Sequence, residues 1–154
     1  METAESSYED AWFANSKSGN VTDVQQIIQS KKVKVDMSDH LGNTALHYAA
    51  NAGHTEVVQA LISGGANLNA LNKHGDTPLH KAAGRNRLET VKLLVKLGAS
   101  IDAINEDKEK PIDLTSNQDI KLELLPVVED IDDDDDDDKN NDDDYNSDDE
   151  GDDA

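Results

Sequence analysis

At 154 residues the chain has room for one modest domain and little more, and its net charge of −20 is unevenly spread. From Pro126 onward 17 acidic residues stand against one basic residue, Lys139, whereas the first 125 residues hold 17 acidic and 13 basic ones. A nucleic-acid-binding surface needs the opposite sign, the lack of cysteine excludes disulfides and thiolate metal sites, and no apolar run approaches the roughly 18 residues of a membrane span.

The opening METAESSYEDAW is acidic and has no apolar stretch of the kind a secretory leader needs. The expected location is therefore cytosolic or nuclear, and the Asn20-Val21-Thr22 sequon is read as accidental. Met1 to Ser7 are expected to form a frayed lead-in. From Tyr8 a helical hairpin is expected: Ala11-Trp12-Phe13-Ala14, a break at Gly19-Asn20, then Val24, Ile27 and Ile28. Asn15 and Ser16 sit where later segments carry two alanines, and the expectation is that they face water on the open flank of a stack.

Two near-copies follow. DHLGNTALHYAANAGHTEVVQALISGGANLNAL runs from Asp39, and NKHGDTPLHKAAGRNRLETVKLLVKLGASIDAI from Asn72. Gly42 matches Gly75, Thr44 matches Thr77, His47 matches His80, and Ala49-Ala50 match Ala82-Ala83, each partner 33 positions on without an insertion. Gly42 and Gly75 lie in turn-forming clusters where a left-handed backbone is easy only without a Cβ. Thr44 and Thr77 are N-caps, and Pro78 falls at the first helical position, where its missing N–H costs nothing. The alanine pairs keep the first helix thin. The second helix presents Val57, Val58, Leu61 and Ile62 in one copy and Val91, Leu94 and Val95 in the next, with Gly65 and Gly98 as left-handed terminators. Each unit is too thin to bury its own apolar face, so stacking must supply the core.

A worn copy closes the array. Lys110-Pro111-Ile112-Asp113-Leu114 takes the register of Thr77 to Lys81 with the Thr and His replaced, so decayed capping is expected there. Ser116-Asn117 starts a helix through Ile120, Leu122, Leu124 and Leu125, which Pro126 stops. Beyond it the run Asp132 to Asp138 and the acidic end have too little apolar content to fold.

The 33-residue period with its Thr-Ala/Pro-Leu-His-x-Ala-Ala core identifies a resemblance to the ankyrin-repeat family, covering residues 8–125. The resemblance implies an all-α solenoid, with a degenerate repeat over 8–36, full repeats over 39–71 and 72–104 and a partial one over 105–125, and the composition adds a disordered Asp-rich tail over 126–154. Weaker similarity extends to small ankyrin chaperones of basic ribosomal proteins and to the ankyrin part of osteoclast-stimulating factor, whose SH3 domain this sequence lacks.

Ankyrin stacks bind proteins on a concave face built from turn tips and the outward side of each first helix. By register those positions are His40, Leu41, Asn43, Tyr48, Asn51 and Ala52, then Lys73, His74, Asp76, Lys81, Gly84 and Arg85. Leu41 and Tyr48 are the preferred contacts, being apolar or aromatic where exposure is expected. Trp12 is expected to plug the N-terminal end, with Phe13 or Tyr8 as the alternative reading of an exposed anchor. Arg85, Asn86 and Arg87 replace the usual Gly-His and read as a solvated turn, or as a small basic spot for an acidic partner or the chain's own tail.

His47 and His80, with Asp113 next in register, are the one arrangement resembling metal ligands. The family resemblance instead gives the two imidazoles backbone hydrogen bonds between units, and His40, His54 and His74 are expected to be solvated. No nucleophile elbow, phosphate loop or rigid carboxylate pair is present, so neither catalysis nor a cofactor or metal is expected. The expectation is a monomeric interaction module for a protein partner, with no direct role for nucleic acid or membrane. Alternatives are an escort for a basic client such as a ribosomal protein or histone, and an inhibitory subunit of an enzyme. Ser147, ahead of Asp148-Asp149-Glu150, fits an acidophilic kinase.

Overall fold

The computed structural model describes residues 4–126, with side chains from Tyr8; the Asp-rich segment and Ser147 lie outside the described residues. Among the described residues, seven α-helices and one 3-10 turn form four successive hairpins. They are α1 (Ala4–Ser18) with α2 (Val21–Ser30), α3 (Ala45–Ala52) with α4 (Thr55–Ser63), α5 (Pro78–Gly84) with α6 (Leu88–Lys96), and the 3-10 turn Pro111–Leu114 with α7 (Gln118–Glu123). Helix α1 begins at Ala4, so the lead-in is largely helical rather than frayed.

The hairpins stack in two layers. An inner layer runs α1, α3, α5 and the 3-10 turn, and an outer layer runs α2, α4, α6 and α7. Ala49, Ala50, Ala82 and Ala83 are fully buried between the layers. A larger side chain at any of them would push the helices apart. Leu46, Val57, Val58, Leu61, Leu79, Val91 and Leu94 fill the core continuously from hairpin to hairpin. Truncating Leu46 or Leu79 to Ala would cost about 2–5 kcal/mol.

Trp12 is fully buried in that same core. Ser16 is fully buried as well, contrary to its expected exposure. Its hydroxyl donates to Trp12 O at 2.8 Å, so the helix satisfies the polar group itself.

The capping chemistry repeats faithfully. Thr44 Oγ1 accepts from His47 N at 3.3 Å, while His47 Nδ1 accepts from Thr44 N at 3.1 Å. Thr77 and His80 do the same at 3.2 and 3.1 Å. In the last hairpin Asp113 accepts from Lys110 N at 2.9 Å, so half of the reciprocal cap survives the sequence change. Gly65 and Gly98 follow their helices with φ of 101° and 100°.

The connecting turns form a second ladder. Asp39, Asn72 and Asn105 each fold a side-chain oxygen over their own turn, accepting from Asn43 N at 3.0 Å, Asp76 N at 2.9 Å and Glu109 N at 3.0 Å. Neighbouring turns are then tied together by Lys73 N donating to Leu41 O at 3.1 Å and Glu106 N to His74 O at 2.9 Å.

Candidate protein-binding surface

The surface starts from the imidazole struts. His47 Nε2 lies 2.8 Å from Asp76 O and His80 Nε2 lies 2.8 Å from Glu109 O, across one repeat step in each case. A carbonyl only accepts, so Nε2 carries the proton and Nδ1 is left to accept from the threonine. Burial pushes the His47 pKa down. The nearby Lys81 adds to that, and the bond to Asp76 O opposes it. The rings therefore serve architecture, and His47, His80 and Asp113 do not converge on a common point. Among the described residues, His74, Asp107 and Glu109 do form one group within metal-ligand reach of each other. There His74 Nε2 lies 2.9 Å from Asp107 Oδ2 on the exposed turn, and the group reads as a solvent-facing polar contact.

These struts hold α3 and α5 so that Asn43, His47, Tyr48, Asn51 and Lys81 line one small recess of about 90 Å³. Tyr48 is its central wall. The Phe13 ring meets it edge-on, with centroids 5.8 Å apart. Lys17 Nζ sits 4.5 Å above the Tyr48 ring centroid, a cation–π contact. The Tyr48 hydroxyl donates to Asp39 Oδ2, and Asn43 Nδ2 reaches that hydroxyl at 3.5 Å. Partial burial and the bond to Asp39 both raise the Tyr48 pKa. For Asp39 partial burial works upward, but the Tyr48 hydroxyl and the Asn43 and Leu41 amides outweigh it and hold the carboxyl below its ordinary value.

The register-derived positions separate by exposure. His40, Leu41 and Lys73 stand out on the turn tips and Arg85 at the end of α5, with Leu41 52% exposed. Tyr48, Asn51, Ala52, His74 and Lys81 are half-buried along the same side. Asn43 and Asp76 are only 7% and 8% exposed. Both are engaged in the turn ladder, where Asn72 Nδ2 donates to Asn43 Oδ1 and Asn105 Nδ2 to Asp76 Oδ1, each at 2.9 Å. A partner would touch them little. Tyr8 is 37% exposed, while Phe13 is half-buried against Tyr48 and is no free-standing anchor. Sequence reasoning missed Lys17, because its contact with Tyr48 spans 31 positions and appears only when two hairpins are stacked.

Nor is the Arg85-Asn86-Arg87 turn uniformly solvated. Asn86 takes the left-handed φ of 59° at the register position of Gly53, a conformation asparagine tolerates. Arg87 Nε donates to Asn51 O at 3.1 Å, which leaves Arg85 as the exposed cation of the three. Likewise His54 is not simply solvated: its Nε2 lies 3.0 Å from Lys17 O.

The family model described as "Ankyrin repeats (3 copies)" matches residues 12–105. The chain belongs to the ankyrin-repeat family. Over 59 residues it is 41% identical to "Ankyrin repeat domain-containing protein 29" of Danio rerio, a match covering 38% of this chain and 20% of that protein. The chain thus spans about a fifth of that relative's length. Ankyrin repeats are protein-interaction modules, and this ankyrin stack presents its recess, aromatic wall and turn tips on one side. No described helix is long and apolar enough to cross a membrane.

Proposed function

We propose that this ankyrin-repeat protein is a non-enzymatic, monomeric adaptor that seats a protein partner on the side formed by its turn tips and inner helices. The observation that supports it is the Phe13–Tyr48–Lys17 stack beside an open recess. A rigid aromatic wall flanked by a cation and by amide donors is the composition of an interface centre. Exposed Leu41 extends that surface along the turn tips. The test is an affinity capture from cell extract in the cytosolic and nuclear fractions with the full chain, the Tyr48→Ala variant and a chain ending at Pro126. The adaptor reading requires capture by the first and third and its loss in the second.

A second reading, an escort for a basic client, draws support from the 17 acidic residues after Pro126. Such a tail would speed encounter with a positively charged protein and mask it. In that case the chain ending at Pro126 loses the client, and moderate salt releases it from the whole protein. A Ser147 phosphate would strengthen the same charge. Phosphopeptide mapping that finds Ser147 always unmodified removes that element.

A further inference from the structure

The last turn of the array departs from the others in its chemistry. Asn105-Glu106-Asp107-Lys108-Glu109 carries three carboxylates where Asn72-Lys73-His74-Gly75-Asp76 carries one, and the 33-residue step sets Asp107 beside His74. Among the described residues, no lysine or arginine pairs with Glu106, Asp107 or Glu109. Their basic neighbour is the His74 imidazole. Its Nε2 lies 2.9 Å from Asp107 Oδ2 and its Nδ1 3.9 Å from Glu106 Oε1. Half-buried Glu109 completes the group: one ligand atom each from His74, Asp107 and Glu109 lie within 4.8 Å of one another. His47, His54 and His80 instead aim Nε2 at a backbone carbonyl. The backbones that carry the three side chains are tied in place. Asn105 Oδ1 accepts from Asp107 N at 2.9 Å and Glu109 N at 3.0 Å, Asn72 Oδ1 accepts from His74 N at 2.9 Å, and Glu106 N donates to His74 O at 2.9 Å.

We propose that His74, Asp107 and Glu109 form a site for a divalent transition cation of the zinc class, which bridges the third and fourth turns. An imidazole with two carboxylates suits zinc, cobalt or nickel, whereas magnesium and calcium favour oxygen ligands throughout. Ligand atoms on one tetrahedral zinc lie about 3.4 Å apart, so rotation of the exposed Asp107 and half-buried Glu109 side chains closes the set. The cation takes the place of the proton between Nε2 and Asp107 Oδ2. Nδ1 keeps its proton and turns it toward Glu106, the outer carboxylate that fixes the ring. Asn105 Nδ2, donating to Glu109 Oε1 at 3.0 Å, holds the third ligand in the same way. A dication also relieves the mutual repulsion of three carboxylates on one turn. Three protein ligands leave a fourth position for water. The bridge strengthens the weakest joint of the stack, because Asp113 stands in the register of His47 and His80 and no imidazole strut continues past the fourth turn. Register singled out His47 and His80 and so argued against any metal, whereas stacking assembles a ligand set around a different histidine.

The test is a zinc titration of the full chain followed by proton–nitrogen spectra, in a background of magnesium that occupies the acidic residues after Pro126. Zinc should shift the amides of His74, Asp107 and Glu109 and the His74 ring nitrogens, and leave α2 and α4 unmoved. His74→Gln and Asp107→Asn, whose own spectra verify the fold, should each weaken these shifts at least tenfold. Glu106→Gln, which removes only the outer carboxylate, should weaken them by about tenfold. Zinc should also slow amide exchange in α7 severalfold in the parent and not in His74→Gln, the mark of a fastened fourth hairpin. Three results overturn the proposal: no shift at these residues, shifts centred on another histidine, or an unchanged affinity in His74→Gln. None of these readouts depends on a partner being captured, so they fail separately from the adaptor reading.

Discussion

Arg87 does in the third hairpin what His54 does in the second. His54 Nε2 lies 3.0 Å from Lys17 O and Arg87 Nε donates to Asn51 O at 3.1 Å, and each side chain lies over a glycine of the preceding hairpin, Gly19 or Gly53. A Cβ on Gly53 would come within 2.8 Å of Arg87 Cδ. Arg87→Ala removes both the hydrogen bond and that cover. It should cost about 1–2 kcal/mol, read as a lower urea midpoint. Arg87→His should recover most of the loss, because the strut needs a ring or guanidinium N–H and not a charge. A His variant no better than Ala would show that the arginine acts only through its charge.

Gly42, Gly75 and Lys108 occupy one turn position in three successive repeats, with φ of 79°, 82° and 66°. A Cβ at Gly42 would meet Lys73 N at 2.6 Å, because the next turn lies against it. Gly42→Ala therefore combines left-handed strain with a backbone clash and should cost more than about 2 kcal/mol. At Gly65, φ is 101° but nothing lies within 4 Å of where a Cβ would sit, so Gly65→Ala should cost only the strain, about 1 kcal/mol. Lys108→Gly should stabilise by about 0.5–1 kcal/mol by relieving the same strain. Thermal midpoints of the three variants, ranked against the parent, check the order.

The pH dependence of stability follows from His47. Its folded pKa lies below the ordinary 6.5, chiefly through burial. Below that pH the unfolded chain takes up a proton that the folded chain refuses. The His47 contribution is complete above 6.5 and is lost as pH falls below it, at most by about 1.4 kcal/mol per pH unit. Asp39, held below 3.8, acts in the same sense in the more acidic range, its contribution being lost as pH falls from 3.8 through the folded value. The melting temperature of the parent should therefore fall as pH drops below about 6.5. His47→Gln, which keeps a donor toward Asp76, should be less stable at the upper end but show a shallower slope. Equal slopes would remove His47 as the titrating group.

Tyr48 separates binding from folding. Tyr48→Phe loses the hydroxyl bond to Asp39 but keeps the ring under Lys17 and against Phe13. Partner affinity should then fall by less than about tenfold, whereas Tyr48→Ala should lose about thirtyfold or more. Titration calorimetry with a captured partner, alongside a circular-dichroism check of the helices, tells lost contact from lost fold. Equal losses in both variants would place the hydroxyl, not the ring, at the interface centre.

Much of this was legible in the residues because a repeat writes the same local instructions more than once. Thr44 and Thr77 as caps, Pro78 at the helix start and the buried alanine pairs all follow from rules acting within a few positions. The worn ends were harder to read. Ser16 looked solvent-facing because its polarity is local information, while its burial depends on how α1 packs into the stack. Arg87 looked like a surface cation for the same reason.

The sequence by itself determined that this chain is a stack of helical hairpins with an acidic end, since period, caps and helix terminators are set by backbone sterics and short-range hydrogen bonds. The tertiary structure alone decided which polar side chains are free. Asn43, Asp76, His47 and Arg87 each find a partner 29 to 36 positions away, and only stacking brings those groups within hydrogen-bond reach. It likewise set Lys17 over Tyr48, because a contact between two hairpins exists only once their shared core has fixed the distance between them.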